Sequence, residues 1–292
     1  MTAIDVRTLL HAPRWEEDSA LETILDSLLR RRPMALPATP PDPAEIWPAS
    51  SFRLDRVTEF IEAREERQRE IIRRCSADRL AEALYVEKLG LAFCAKMTLL
   101  AETAEERMLY ALIAGDEATH YHWISRFVGD DPAPSPFLDL ISSWIERGSR
   151  GALTLLVQVV LEGWGVQHYR ILGRDCRDAE LAAVLREIVT DEARHHRSGT
   201  RLLGQRALTD ADRSEITSAL AKLLDFVRGG PQAIVAAIDP EDRVRCFAEL
   251  QGTEDAHRNL ELLRDLIGDA AITAALDFTP MTDEECARCS IS

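Results

Sequence analysis

Apolar residues recur at three- and four-residue intervals along most of this chain. The two-residue alternation of a half-buried strand survives nowhere against that helical period. Residues 15–32 carry Leu21, Ile24, Leu25, Leu28 and Leu29 on one helical face. Six prolines then crowd residues 33–48, which predicts an extended arm, because proline lacks the donor a helix interior needs. A highly charged helix is expected over 53–75, followed by four helices over 77–101, 104–128, 150–174 and 178–206. The run Leu155-Leu156-Val157-Gln158-Val159-Val160-Leu161 is apolar almost all round, so the third of these four helices should be central and buried. Residues 129–149 connect the second to the third and contain a short helix around Trp144. Further helices are predicted over 209–228, 241–267 and 269–277. The fold is therefore all-α. A helix and proline-rich arm occupy 1–50, a helical domain spans 51–276 with its core at 77–206 and accessory helices at 209–276, and a tail covers 277–292.

Polar residues inside this pattern are not scattered. Asp116-Glu117-Ala118-Thr119-His120 recurs as Asp191-Glu192-Ala193-Arg194-His195, and each copy has a glutamate thirty residues upstream, Glu87 and Glu162. One offset of 75 maps every position, and it also pairs Gly90 with Gly165, Ala104 with Ala179, Glu105 with Glu180 and Arg126 with Arg201. A glutamate and a histidine three residues apart lie on one helix face, so both can reach one ion. The thirty-residue gap suits a helical hairpin. A chain turning near 102 rises and falls by the same ~22 Å and returns Glu87 and Glu117 to one level. Thr103 with Glu106 reads as a capping box at that turn, and Gly173 to Asp178 is a polar stretch where the second hairpin would turn. Four glutamates and two histidines in this order are the ligand set of a dinuclear carboxylate centre in a four-helix bundle. Glu254 and His257 repeat the spacing, with Asp225 upstream, but Gly229, Gly230, Pro231 and Pro240 interrupt that segment, so it reads as a solvated helix face.

Carboxylates on an apolar face are costly unless compensated. Glu87 and Glu162 both lie in apolar runs, and multivalent cations would supply the opposite charge. The donors are oxygen and imidazole nitrogen without thiolate, which suits iron or manganese.

On these residues the chain resembles the ferritin-like di-iron carboxylate superfamily. That group includes the radical-bearing subunit of ribonucleotide reductase, bacterial multicomponent monooxygenases, acyl-carrier-protein desaturases, aldehyde-deformylating oxygenases, rubrerythrins and bacterioferritins. The resemblance covers about residues 77 to 206 and implies a ferritin-like four-helix bundle with additional N- and C-terminal helices. It implies Glu87, Glu117, His120, Glu162, Glu192 and His195 as ligands of two iron ions, with manganese at one site as the alternative. It further implies that Asp116 and Asp191 hydrogen-bond the metal-bound histidines. Where the monooxygenases carry a threonine one turn after the third ligand, this chain has Gly165 and Val166. The closely spaced Gly163 and Gly165 suggest close packing, room for substrate, or a local helix distortion.

The implied activity is that of a non-haem di-iron oxidoreductase. It would activate dioxygen to hydroxylate, desaturate, N-oxygenate or cleave a small organic substrate, with electrons from an external donor. A rubrerythrin-like peroxidase and a non-enzymatic iron-binding protein are the alternatives. An oxygenase needs an apolar cavity of ~300 Å3 or more beside the metals. Its expected walls are the small residues near the first and third ligands: Gly90, Cys94, Gly163, Gly165 and Val166. No other catalytic side chain is singled out. His122, His168 and His196 point away from the ligand faces, and Tyr85, Tyr110, Tyr121 and Tyr169 read as core.

The 292 residues carry a formal charge of −15, which disfavours nucleic acid and anionic membrane surfaces as partners. No apolar run reaches the ~18 residues of a membrane span. The N-terminus lacks an apolar core after basic residues, and a cytoplasmic protein is expected. The extra helices leave room for a homodimer interface. The six cysteines form no disulfide framework, and Cys286-Ala-Arg-Cys289 lacks the second pair that a rubredoxin-type centre needs.

Overall fold

The computed structural model describes residue 32 and residues 34–129, 136–205 and 207–229. Among them the protein is all-helical, with no strand. Six longer helices organise it: α1 Glu65–Leu100, α2 Ala104–Ser125, α3 Pro136–Arg147, α4 over 150–175, α5 Ala179–Gly204 and α6 Asp210–Gly229. α1 packs along α2, and α4 along α5, as two hairpins whose helices carry the two copies of the repeat. α3 links them and rests on α1, while α6 closes on α3 and the start of α4.

The boundaries follow local chemistry. α1 is one unbroken helix, where the sequence pattern suggested separate helices over 53–75 and 77–101. Nothing between Arg74 and Leu80 can stop a helix, and Cys75 and Ser76 are buried within it. Residues 53–64 instead form short turns, with Arg53 in the left-handed region at φ 57°. The first hairpin turns at 101–103. There the Thr103 hydroxyl accepts from Glu106 N at 3.2 Å, and the Glu106 carboxylate accepts from Glu102 N at 3.0 Å. The second turns at 176–178, with Asp178 accepting from Leu181 N at 2.8 Å. Lys96 donates to the carbonyls of Ile145, Glu146 and Gly148 at 2.7–3.0 Å, capping α3 and fixing where α4 begins.

α4 is not uniform. Arg150–Leu153 and Glu162–Asp175 are α-helical, but Thr154–Leu161 between them is π-helical. The distortion therefore precedes Glu162 and does not sit at Gly163 and Gly165. Gln158 lies inside it, fully buried, and ties three helices together. It accepts from the Tyr110 hydroxyl at 2.9 Å and donates to Ser198 Oγ at 2.8 Å. Gly199 permits this approach, since a Cβ there would stand 2.7 Å from Gln158 Cγ.

The proline-rich arm crosses the second turn. Trp47 donates to Leu172 O at 3.0 Å, Arg177 N donates to Ile46 O at 2.8 Å, and Arg79 stacks over Phe52 at 4.1 Å. Two apolar clusters fill the bundle. One gathers Phe93, Met97, Tyr110 and Leu153 toward the first turn; the other gathers Trp47, Phe52, Trp123 and Leu181 toward the second. The repeated polar residues lie in the band between them. The helices expected over 15–32, 241–267 and 269–277, the Glu254–His257 spacing and Cys286–Cys289 fall outside the described residues, apart from Arg32 itself. Among the described residues no helix is long and apolar enough to cross a membrane.

Candidate metal centre

All six repeated side chains converge and are buried, from 0% exposed at His120 to 7% at Glu162. Glu87 comes from α1, Glu117 and His120 from α2, Glu162 from α4, and Glu192 and His195 from α5. Their donor atoms form two overlapping groups, each with one atom per residue within 4.8 Å of all the others. One is Glu87, Glu117, His120 and Glu192; the other is Glu117, Glu162, Glu192 and His195. Glu117 and Glu192 belong to both, as carboxylates bridging two ions would.

Both histidines turn Nδ1 inward. His120 Nδ1 lies 3.2 Å from Glu87 Oε2 and 3.6 Å from Glu192 Oε1. His195 Nδ1 lies 3.1 Å from Glu117 Oε1 and 3.7 Å from Glu162 Oε2. Glu117 Oε1, Glu162 Oε2 and His195 Nδ1 are buried without a hydrogen-bond partner among the described residues. The 3.1 Å pair is close but misaligned for a hydrogen bond. Three orphaned donors facing one point are what a cation would satisfy, so the residues fit a metal ion on geometry and on chemistry.

The outward nitrogens are held crosswise. His120 Nε2 is 3.0 Å from Asp191 Oδ2, and His195 Nε2 is 3.3 Å from Asp116 Oδ2. Each aspartate thus lies against the histidine of the other copy, a contact that would favour a proton on Nε2 and direct Nδ1 toward an ion. Two further side chains escaped the sequence pattern. Arg32 Nη1 lies 3.0 Å from Asp116 Oδ1 and 2.6 Å from Asp191 Oδ2. The Tyr169 hydroxyl donates to Glu87 Oε1. Tyr169 is seven residues past Glu162, two turns along the same face, at the position where the other copy of the repeat has Cys94.

Burial and mutual repulsion favour the neutral form of part of this carboxylate cluster. Burial, with repulsion from Glu87 and Glu162, pushes Glu117 up to about 8. Burial and the adjacent Glu162 raise Glu192 well above the carboxylate range. Burial opposes charge on Glu162 too, but the adjacent Glu192 carboxyl and His195 imidazole outweigh it and hold that carboxyl low. His195 is disfavoured as a cation by burial, yet the bond to Asp116 and the facing carboxylates of Glu117 and Glu162 lift it to about 12. A metal would displace these protons.

A cavity of about 70 Å3 adjoins the carboxylates of Glu117, Glu162 and Glu192. Val86, Leu89, Ile141, Val157, Leu161 and Trp164 wall it, and His168 and Tyr169 also line it. It is smaller than the volume expected of a substrate pocket. Of the five small residues expected as walls, Gly90 and Gly165 line it, while Cys94, Gly163 and Val166 do not. Helical period explains this: α4 turns Trp164, Gly165 and His168 toward the cavity, so Gly163 and Val166 fall off that face. Cys94 is fully buried in the apolar cluster near the first turn. His168 was expected to point elsewhere. It joins neither donor group, but it faces the same cavity, and burial with the nearby Arg79 depresses its imidazole to about 4. His196 Nδ1 donates to the Val159 carbonyl at 2.9 Å, away from the centre.

Gly90 has a second role. A Cβ on it would stand 2.8 Å from Glu117 Cδ and closer still to Glu117 Oε2, so a side chain there would push that carboxylate from its position. At Gly165 a Cβ would lie 3.6 Å from Glu192 Oε2, an ordinary contact.

Comparison with known families finds one match: the model of the ferritin-like domain fits residues 76–205. Comparison with curated proteins and with solved structures gives no match.

Proposed function

We propose that this protein, whose residues 76–205 match the ferritin-like domain, binds two iron ions and activates dioxygen to oxidise a small organic substrate. The observation that carries the reading is the pair of overlapping donor groups sharing Glu117 and Glu192, with an apolar cavity against their carboxylates. Glu87 and His120 would complete one position, and Glu162 and His195 the other; manganese at one position is the alternative. When bound, the iron pair supplies electrons to dioxygen. The protein's own contribution is placement and protection. Asp116 and Asp191 orient the imidazoles, Tyr169 holds the free oxygen of Glu87, and the walls from Val86 to Trp164 exclude water. A hydroxylation then balances as substrate C–H, dioxygen, two electrons and two protons giving C–OH and water, the electrons coming from an external donor.

The small cavity favours a second reading, a peroxidase that admits only dioxygen or hydrogen peroxide. The test is stopped-flow oxidation of the anaerobically reduced, iron-loaded protein by each oxidant, with and without a panel of small apolar amines, alcohols and aldehydes. Oxygen uptake coupled to product from one of these supports the oxygenase. Oxidation by peroxide far faster than by oxygen, with no organic product, supports the peroxidase.

A further inference from the structure

The two copies of the motif differ at one position that bears on the centre. Copy two reads Asp191-Glu192-Ala193-Arg194-His195, and Arg194 pairs with Asp191 three residues earlier on the same helix. Copy one has Thr119 where the offset places that arginine, and the Thr119 hydroxyl turns back to Gly115 O at 2.8 Å. Asp116 is therefore without an arginine of its own helix. We infer that Arg32, from the N-terminal arm, supplies the guanidinium that the first copy lacks and is a positioning residue for the ion beside His195. This rests on the metal-centre reading above.

The geometry is specific. Arg32 Nη1 reaches Asp116 Oδ1 at 3.0 Å and Asp191 Oδ2 at 2.6 Å, while Nη2 lies 3.7 Å from Glu187. The guanidinium also lies over the Trp123 ring, 5.2 Å from its centroid, and Trp123 is buried. Its planar fork is thus pinned by an aromatic face and two carboxylates. Asp116 presents its other oxygen, Oδ2, to His195 Nε2 at 3.3 Å. Among the described residues Arg32 is the only guanidinium paired with Asp116, whereas Asp191 has both Arg32 and Arg194. Loss of Arg32 should therefore release Asp116 and His195 while Asp191 and His120 keep a clamp. A single cation placed across the axis of the repeat makes the two ion positions unequal in what supports them.

The test uses the full chain and cobalt(II) as probe, read by calorimetric titration and by the ligand-field spectrum of the bound ion. The parent should take two ions. Arg32→Met keeps the side chain's length without its charge. It should weaken one of the two ions by roughly 10–100-fold and alter its spectrum, while leaving the other ion near parental affinity. Arg32→Lys should recover part of the loss, and Thr119→Arg added to Arg32→Met should recover more. In a Glu162→Ala background, which leaves only the ion beside His120, Arg32→Met should change little. In an Asp116→Asn background it should likewise add little. Parental binding of both ions by Arg32→Met would overturn the inference, as would equal weakening of both. So would a metal-free Tm that collapses in Arg32→Met and is restored by neither Lys nor Thr119→Arg, since Arg32 would then serve the fold alone. A parent that binds no pair of ions would overturn the metal-centre reading itself, and this inference with it.

Discussion

The first hairpin, α1 and α2, and the second, α4 and α5, carry the same glutamates and histidine at the same spacing but surround them differently. In the first, a Cβ at Gly90 would crowd the Glu117 carboxylate; in the second, Gly165 has spare room beside Glu192. The first helix pair is regular, whereas α4 carries a π-helical stretch immediately before Glu162. Seven residues past the terminal glutamate, the first hairpin has Cys94 in the apolar core, and the second has Tyr169 bonded across to Glu87. Repeating the glutamates and histidines makes a nearly symmetric cluster that could hold metal ions. The departures from the repeat mark where access, hydrogen bonding and register have been changed on one side only.

The largest effect should come from the shared carboxylates. Glu117→Ala touches both donor groups and should abolish loading of both ions, while Glu162→Ala touches one and should leave about one ion per chain, measured by metal analysis after anaerobic ferrous loading. Equal losses from the two variants would break the division into bridging and terminal ligands.

Next in size is the pair of glycines. Gly90→Ala should displace Glu117 and weaken metal binding by roughly 10–100-fold, the range expected when a ligand's support is lost. Gly165→Ala should load normally, because its Cβ meets only an ordinary contact. Calorimetric titration of the two variants sharpens the comparison, and equal tolerance at both positions would contradict it.

Part of this asymmetry was legible in the sequence. The all-helical fold, both hairpin turns and the convergence of six ligands follow from the apolar period and the 75-residue offset, which are local or repetitive signals. The length of α1 was misjudged, because a change from charged to apolar composition at Cys75–Ser76 resembles a boundary although nothing there breaks a helix. A local distortion was one of the readings open at Gly163 and Gly165, but the π-helical stretch of α4 lies in the apolar run before them, where Gln158 is held by Tyr110 and Ser198 from other helices. Arg32 and Tyr169 act through contacts 84 and 82 residues away in sequence, which periodicity along one helix does not encode. Their signals were comparative: Thr119 facing Arg194 and Cys94 facing Tyr169 across the repeat.

The smallest effect is on pH dependence. Glu117 is raised from 4.5 to about 8 and His195 from 6.5 to about 12, so folding binds both protons more tightly. The stability they contribute to the metal-free protein is full below about pH 4.5 and 6.5 respectively. It is lost as pH rises through 8 for Glu117 and toward 12 for His195. Metal binding needs the same groups deprotonated and runs the other way. The gap in Tm between loaded and metal-free protein should therefore widen between about pH 6 and pH 9, as followed by calorimetry. A constant gap would mean that these protons are not exchanged for metal.

The central claim is that the repeat builds one centre for two ions, and anaerobic ferrous titration of the full chain tests it most directly. The account predicts an endpoint near two irons per chain, with Mössbauer spectra of the oxidised protein showing an exchange-coupled pair. A single tightly held zinc with no iron uptake, or one magnetically isolated iron, would contradict it.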